Sequence, residues 1–300
     1  MAAEVAGGMD ALQEKPFVIL YPESISPLVF SEEVVDRIFI AADLRMPQMM
    51  GPSIQPGATG PVTLAGAIVQ SIAESLMGIV IAQLRKPGTP CGLGVNYPIL
   101  DMGTGLITVG SPEMSLALCG QAEVARSFGL PSWGLAGGTD SKIIDAQAGI
   151  ESAFSILSQG LGGLNLIHDV GYMDGAMVVS PEQLVLGNEV IGMTKRFIEG
   201  IRVNKGTLAK EIIERIGPGG NFLQEEHTAA CFKSELWRPR LLTRQSRVSW
   251  EKKGSKSMEQ RIREELKKII ETHRPHPLPD KTIAAMDRII QRQEKAIAGK

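Results

Sequence analysis

Two short polar clusters hold most of the residues in this sequence that can move protons, hold charge or bind a cation. Thr139, Asp140, Lys142 and Asp145 form the first; His168, Asp169, Tyr172 and Asp174 form the second. A histidine beside a carboxylate can relay a proton, ligate a metal or wall a pocket, because imidazole titrates near neutrality and presents two different nitrogens. Carboxylates with aromatics, here Tyr97, Trp133 and Tyr172, can also make an aromatic and acidic box for a cation. Each residue has a plainer alternative. His168 could be bonded to a neighbouring backbone group and the aromatics could be core. Thr139 or Asp140 could cap a helix, with Asp145 in its first turn where the helix dipole favours an acid.

What places these clusters is a repeated unit. Trp133 to Ala136 and Leu164 to Ile167 are short apolar runs that each lead into a polar loop, as buried strands do. Between them Ile143 to Gln159 has helical length and spacing, and Gly160, Gly162 and Gly163 end it. In strand, helix, strand units the residues after each strand gather on one face, where ligands bind in barrels and open sheets alike. That geometry predicts one cavity at the C-terminal strand ends, lined by His168, Asp169, Tyr172, Asp174, Asp140, Lys142 and Tyr97.

Further candidate strands are Phe17 to Tyr21, Met46 to Met50 and Cys91 to Val95. Helix starts stand at Ser31, at Ser111-Pro112-Glu113 and at Ser180-Pro181-Glu182, each with serine as the capping residue. An apolar helix is expected over Val62 to Leu84, after a Gly/Pro-rich loop from Gly51 to Pro61 of the length that functional loops have. No hairpin signals intervene, so the strands are expected to form a parallel sheet with helical crossovers. Five strands, or six with one near Gly175 to Val179, do not close a (β/α)8 barrel. Either the sheet is open or the chain is incomplete, and the uncapped helical start at Met1 to Glu14 fits the second expectation. Residues 1–204 are read as this α/β part. Residues 205–300, with charged amphipathic helices at Thr207 to Ile216, Glu259 to Glu271 and Asp280 to Ala298, are read as an α-helical appendage.

Composition narrows the function. A net charge of −2 and a pI near 6.2 give no basic field for nucleic acid. Cys91, Cys119 and Cys231 lie far apart without a CxxC, so neither a disulfide framework nor a thiol metal site is indicated. His227 and Cys231 sit four apart, but two ligands do not make a zinc site. The glycines stand in neither dinucleotide nor P-loop spacing. With no signal peptide and no apolar run long enough to span a bilayer, a cytoplasmic protein with no membrane role is expected.

Four motifs in order carry a resemblance: GPVTLAGA (Gly60 to Ala67), GGTDSKIIDAQAG (Gly137 to Gly149), NLIHDVGYMD (Asn165 to Asp174) and IGPGGNFLQEEHT (Ile216 to Thr228). With these the chain resembles the trimethylamine methyltransferase family over nearly its whole length. The resemblance implies a TIM barrel, incomplete here at the N-terminus, with the helical extension. It also implies transfer of a methyl group from a small methylated amine to the cobalamin of a partner corrinoid protein. No metal is bound directly, and a homo-oligomer is expected. Some relatives carry pyrrolysine, placed in the loop after Ile167; here that loop holds Tyr172, Met173 and Asp174. The chain thus resembles the branch without pyrrolysine, some of whose members use quaternary amines such as glycine betaine. In that reading His168 and Asp169 are catalytic, and Tyr97, Asp140, Lys142, Tyr172 and Asp174 bind substrate. Trimethylamine as substrate, a non-catalytic remnant of the family, and an aldolase with Lys142 as Schiff-base lysine are the alternatives.

Overall fold

The computed structural model describes residues 1–299. After helices α1 (Ala2–Ala6), α2 (Met9–Glu14) and α3 (Glu32–Asp43), strands and helices alternate: β1 (Gln48–Met50), α4 (Leu64–Arg85), β2 (Cys91–Gly94), the small strands β3 (Ile99–Leu100) and β4 (Ile107–Thr108), α5 (Pro112–Ser127), β5 (Ser132–Leu135), α6 (Ala146–Gly162) and β6 (Leu166–His168). The strands β1, β2, β5 and β6 lie side by side in that order, every pair parallel. Each is joined to the next across a helix, as parallel pairing requires. The expected strand at Phe17 to Tyr21 is reduced to one bridge between Leu20 and Gln48, because Phe17 and Ile19 are exposed and nothing packs on them to hold the run extended. The mixed α/β class with a parallel sheet is as the sequence implied.

Two local expectations are corrected. Hairpins do occur: β3 pairs antiparallel with β4, and β7 (Tyr172–Met173) pairs antiparallel with β8 (Val178–Val179), so the run near Gly175 to Val179 adds no parallel strand. The first turn is shaped by Asp101, whose carboxylate accepts from the Gly103 and Thr104 amides; the second by three consecutive left-handed residues, Asp174, Gly175 and Ala176. Helix α6 also begins later than expected. Its cap is Asp145, which accepts from the Ala148 amide at 3.0 Å, and this leaves Thr139 and Asp140 free for other partners. The carboxyl of Asp145 is held below the usual range, first by that backbone bond and then by the Ser141 hydroxyl.

One side of the sheet is covered by helices. Met50 packs with Val34 and Ile38 of α3 and Ala82 of α4, and Leu93 packs with Ile72 and Ala125. Helix α4 is long and apolar enough to cross a membrane by length and composition, with a mean hydropathy of 1.8. Here its small residues, Ala67, Ser71, Ser75, Gly78 and Ala82, form a buried face against the sheet. After β8 come α7 (Pro181–Ile198), α8 (Lys205–Leu208), α9 (Lys210–Ile216), α10 (Glu226–Glu235), α11 (Arg247–Lys252), α12 (Met258–Thr272) and α13 (Asp280–Ala298). Leu241 and Ile262 of this tail join Ala136, Ile156, Leu186 and Val190 in one apolar cluster. The buried Glu189 on α7 accepts from the amides of Arg240, Leu241 and Leu242 and fixes the tail there.

Glu74 does the same for the loop before α3. It is 1% exposed and accepts from the Ser24 hydroxyl (2.6 Å), the Ser26 hydroxyl (2.9 Å), the Leu28 amide (3.0 Å) and the Gln70 amide (3.0 Å). Desolvation is the largest single influence on its carboxyl and would raise it, but the four donors together outweigh it and hold the group below its ordinary value. A depressed carboxyl stabilises the fold above its unfolded pKa, and that contribution is lost as pH falls through the folded value. Glu74→Ala should therefore cost about 3 kcal/mol, since several donors lose their acceptor at once. In urea unfolding, the deficit of Glu74→Gln relative to the parent should narrow as the pH is lowered through the carboxylate range; a pH-independent deficit would rule the linkage out.

Candidate functional site

The side of the sheet away from the helices carries an aromatic stack. Tyr21 lies 4.9 Å from Trp133, and Trp133 lies 4.6 Å from His168, measured between ring centroids. The register explains the meeting. Gly94 pairs with Trp133 and Leu135 pairs with His168, so Trp133, two residues before Leu135, shares a side of the sheet with His168. Glycines make the space. A Cβ at Gly51 would stand 1.7 Å from the Tyr21 ring, and one at Gly94 would stand 2.4 Å from the Trp133 indole nitrogen. Without side chains at these two positions, both rings can lie flat across the strands.

Polar partners fix the stack at both ends. The Tyr21 hydroxyl donates to the Gly51 carbonyl (2.8 Å) and accepts from the Asn96 side-chain amide (3.3 Å). Burial pushes the Tyr21 phenol well above its ordinary pKa, with the charges of Glu23 and Asp169 adding to the effect, so it remains a neutral hydroxyl. His168 Nδ1 sits 2.7 Å from the Asp169 carboxylate. A carboxylate only accepts, so Nδ1 carries the proton and Nε2 is an acceptor in the neutral ring and a donor in the charged one. Asp169 holds this pose from a left-handed backbone, φ 66°, a conformation uncommon outside glycine. His168 Nε2, Trp133 Nε1 and Asn96 Oδ1 are shielded from solvent and have no hydrogen-bond partner in the protein. Eight other shielded side-chain atoms among the described residues also lack partners, so what distinguishes this place is that three of them gather on one aromatic stack. The rings and the Asp169 carboxylate suit a cation, and the N–H groups suit an anion.

The remaining expected site residues go elsewhere. Asp140 turns to the β4 side, where its two carboxylate oxygens accept from the Val109 and Gly110 amides (2.9 and 3.2 Å). Glu151 on α6 accepts from the Thr139 hydroxyl and the Asp140 amide. Lys142 pairs with Asp174 at 3.2 Å and donates to the Asp140 carbonyl; the lysine is exposed and the aspartate half-buried. The Asp174 amide donates to the Ser141 carbonyl, and the Thr139 amide to the Tyr172 carbonyl, which places Tyr172 in this lattice through its backbone. These residues brace the rim loops against one another. Tyr97 departs furthest: it is fully buried, and its hydroxyl meets Ser71 of α4. Asn96 reaches toward Tyr21, so the next residue must point to the opposite, helix-covered side. Burial pushes the Tyr97 phenol upward, and the Ser71 bond offsets part of that. The single cavity lined by all seven residues is therefore not formed.

Tyr21 and Asn96 are not among the residues expected at the site, although Tyr21 ends the apolar run Phe17 to Tyr21 and Asn96 follows the run Cys91 to Val95, the same strand-end position that His168 holds. His227 and Cys231 both lie on α10. Among the described residues no group of three or more His, Cys, Asp or Glu side chains is placed to hold a metal ion. The bracing role of Asp140 has a direct readout. Asp140→Ala should cost about 1 to 3 kcal/mol by stranding two amides, seen as faster hydrogen exchange at Val109 and Gly110 with β5 and β6 unchanged; uniform acceleration along the chain would count against a local brace.

The chain is 32% identical to a glycine betaine methyltransferase of Desulfitobacterium hafniense over 298 residues, 99% of this chain and 62% of that protein. It is 36% identical to a trimethylamine methyltransferase of Desulfitobacterium hafniense over 294 residues, covering 98% and 59%. With a trimethylamine methyltransferase of Methanosarcina acetivorans it shares 32% over 301 residues, covering 100% and 60%. The chain thus spans about three fifths of the length of the curated relatives it matches. The family model for trimethylamine methyltransferase (MTTB) matches residues 1–298. The chain belongs to the trimethylamine methyltransferase family.

Proposed function

We propose that this chain serves, in the cytoplasm, a methyltransferase that moves a methyl group from a quaternary amine to a corrinoid carried by a partner protein, with glycine betaine favoured over trimethylamine. In this reading the parallel sheet belongs to a (β/α)8 barrel formed with residues 1–204, and residues 205–300 are its helical extension. The observation that carries it is the Tyr21, Trp133, His168 stack beside Asp169, with the Trp133 indole N–H and His168 Nε2 lacking partners. A trimethylammonium head suits the rings. A carboxylate at the other end of the molecule would accept from Trp133 Nε1, and from His168 Nε2 when the ring is charged; trimethylamine has no such group to offer.

The chemistry asks little of the protein in proton transfer. A quaternary nitrogen carries no proton to remove, and the amine departs neutral when its methyl is taken. Cob(I)alamin supplies the nucleophile when it is bound. Tyr21, Trp133 and His168 are each only partly buried and Leu166 beside them is 44% exposed, so this side of the sheet has room for a large planar group. The residues here would hold the substrate by both charges, aim one N-methyl outward and exclude water, which is orientation and desolvation work. Asp169 would keep His168 in one orientation throughout.

With cob(I)alamin supplied, glycine betaine should be converted to dimethylglycine, and His168→Ala should lower kcat/KM at least tenfold, about 1.4 kcal/mol, with an unchanged circular dichroism spectrum. Calorimetric titration should show glycine betaine binding more tightly than trimethylamine. The reverse preference would overturn the substrate, and no turnover of either amine would overturn the reaction.

A further inference from the structure

The segment before α3 brings one more acid to the open side of the sheet. It runs beside β1 as a parallel neighbour: the Leu20 amide donates to the Pro47 carbonyl (2.9 Å), the Met49 amide to the Leu20 carbonyl (2.9 Å) and the Gly51 amide to the Pro22 carbonyl (3.2 Å). Its side chains alternate as those of a strand do. Pro22 and Ser24 are buried, and the Ser24 hydroxyl reaches Glu74 of α4 on the helix-covered side. Tyr21 and Glu23 are half-buried on the other side, where Tyr21 stacks on Trp133. Glu23 therefore stands roughly 7 Å beyond Tyr21, toward the C-terminal strand ends.

The two acids near the stack differ in what occupies them. Asp169 is engaged by His168 Nδ1. The Glu23 carboxylate takes no hydrogen bond among the described residues, and Arg37, whose charge reaches it, pairs with Glu33. Burial holds the Glu23 carboxyl above its ordinary value, and the Arg37 charge offsets only part of that. The unpaired atoms sort along the stack in the same sense. Asn96, whose amide nitrogen donates to the Tyr21 hydroxyl, keeps a free acceptor, Oδ1, at the Tyr21 end. Trp133 Nε1 is a free donor further along, and His168 Nε2 becomes one when its ring is charged. The face is thus negative at Tyr21 and donor-rich at Trp133 and His168.

We propose that Glu23 is the counter-charge for the ammonium head of the substrate and sets its direction, with the head at the Tyr21 end and a carboxylate at the Trp133 and His168 end. This rests on the quaternary-amine reading above and adds to it the residue that selects for charge. A tert-butyl group has the shape of a trimethylammonium group without its charge, so packing alone separates the two poorly. A desolvated carboxylate separates them well, because a neutral head leaves it unpaired. With opposite charges at its two ends, the substrate enters in one direction, and its N-methyl groups all lie beside Tyr21.

Calorimetric titration of the chain with glycine betaine and with the tert-butylacetate anion, which replaces the charged nitrogen by carbon and keeps the carboxylate, reads this assignment. The parent should bind glycine betaine more tightly by about tenfold or more. Glu23→Gln should weaken glycine betaine by about tenfold and leave tert-butylacetate within about threefold, with an unchanged circular dichroism spectrum. Glu23→Asp keeps the charge and should recover most of the loss. On the parent itself, tetramethylammonium should protect Glu23 from amidation by a water-soluble carbodiimide and an added amine, read by peptide mass. Undiminished glycine betaine binding by Glu23→Gln, or amidation that tetramethylammonium does not slow, would overturn the role of Glu23 and leave the quaternary-amine reading standing. A parent that binds neither glycine betaine nor tetramethylammonium would overturn both.

Discussion

Successive side chains of a strand point to opposite sides, and this parity governs which residues of the molecule can meet. On the covered side it gives Met50 and Leu93 to the helices. On the open side it gives Trp133 and His168 to each other. At the C-terminal end of β2 the same rule separates Asn96, which joins Tyr21, from Tyr97, which joins α4. A shift of one residue in the register would exchange the two sets and bury the aromatic stack among the helices. The glycines matter for the same reason: at Gly51 and Gly94 the open side carries no side chain, and the neighbouring rings occupy the space.

Carboxylates supply the second kind of order. Glu74, Asp140, Glu151 and Glu189 each accept from donors on a distant loop, and each includes at least one backbone amide among them. An ionised carboxylate is an acceptor with several lone pairs, so one side chain can satisfy two or three amides that no strand or helix would otherwise pair. The loops at the strand ends are short of regular hydrogen bonds, and these acids replace them. Asp140 and Glu151 in this way brace the strand-end loops, while His168 Nε2 and Trp133 Nε1 stay unpaired.

What could be read in advance was what depends on near neighbours. Ser31 and Ser180 cap their helices through their side chains as expected, Ser111 stands at the start of α5 without a side-chain cap bond, and α13 spans the expected residues, because capping and helical periodicity are local. The four parallel strands were visible as short apolar runs bounded by polar or Gly/Pro-rich loops. Direction and partnership were not visible. Nothing in the order Asn96, Tyr97 states which of the two faces the aromatic stack; that follows from the register with Gly51 and its neighbours. Asp140 stands at a strand end exactly as a site residue would, yet its partners are two amides thirty positions earlier. His168 and Asp169 were recognisable because their pairing is between adjacent residues. For Trp133 the sequence leaves core and aromatic box both open, since the glycine that makes its place, Gly94, lies on a different strand.

The floor beneath the aromatic stack is made of absent side chains, and this gives the site an adjustable depth. The indole of Trp133 lies where a Cβ at Gly94 would stand, 2.4 Å from its nitrogen, so that residue limits how close the ring can approach the sheet. Enlarging Gly94 by one methyl would lift the ring outward and make the seat shallower without altering any group that contacts the ligand. Chains that share Tyr21, Trp133 and His168 can therefore still differ in the depth of this face, through a substitution on the far side of the ring.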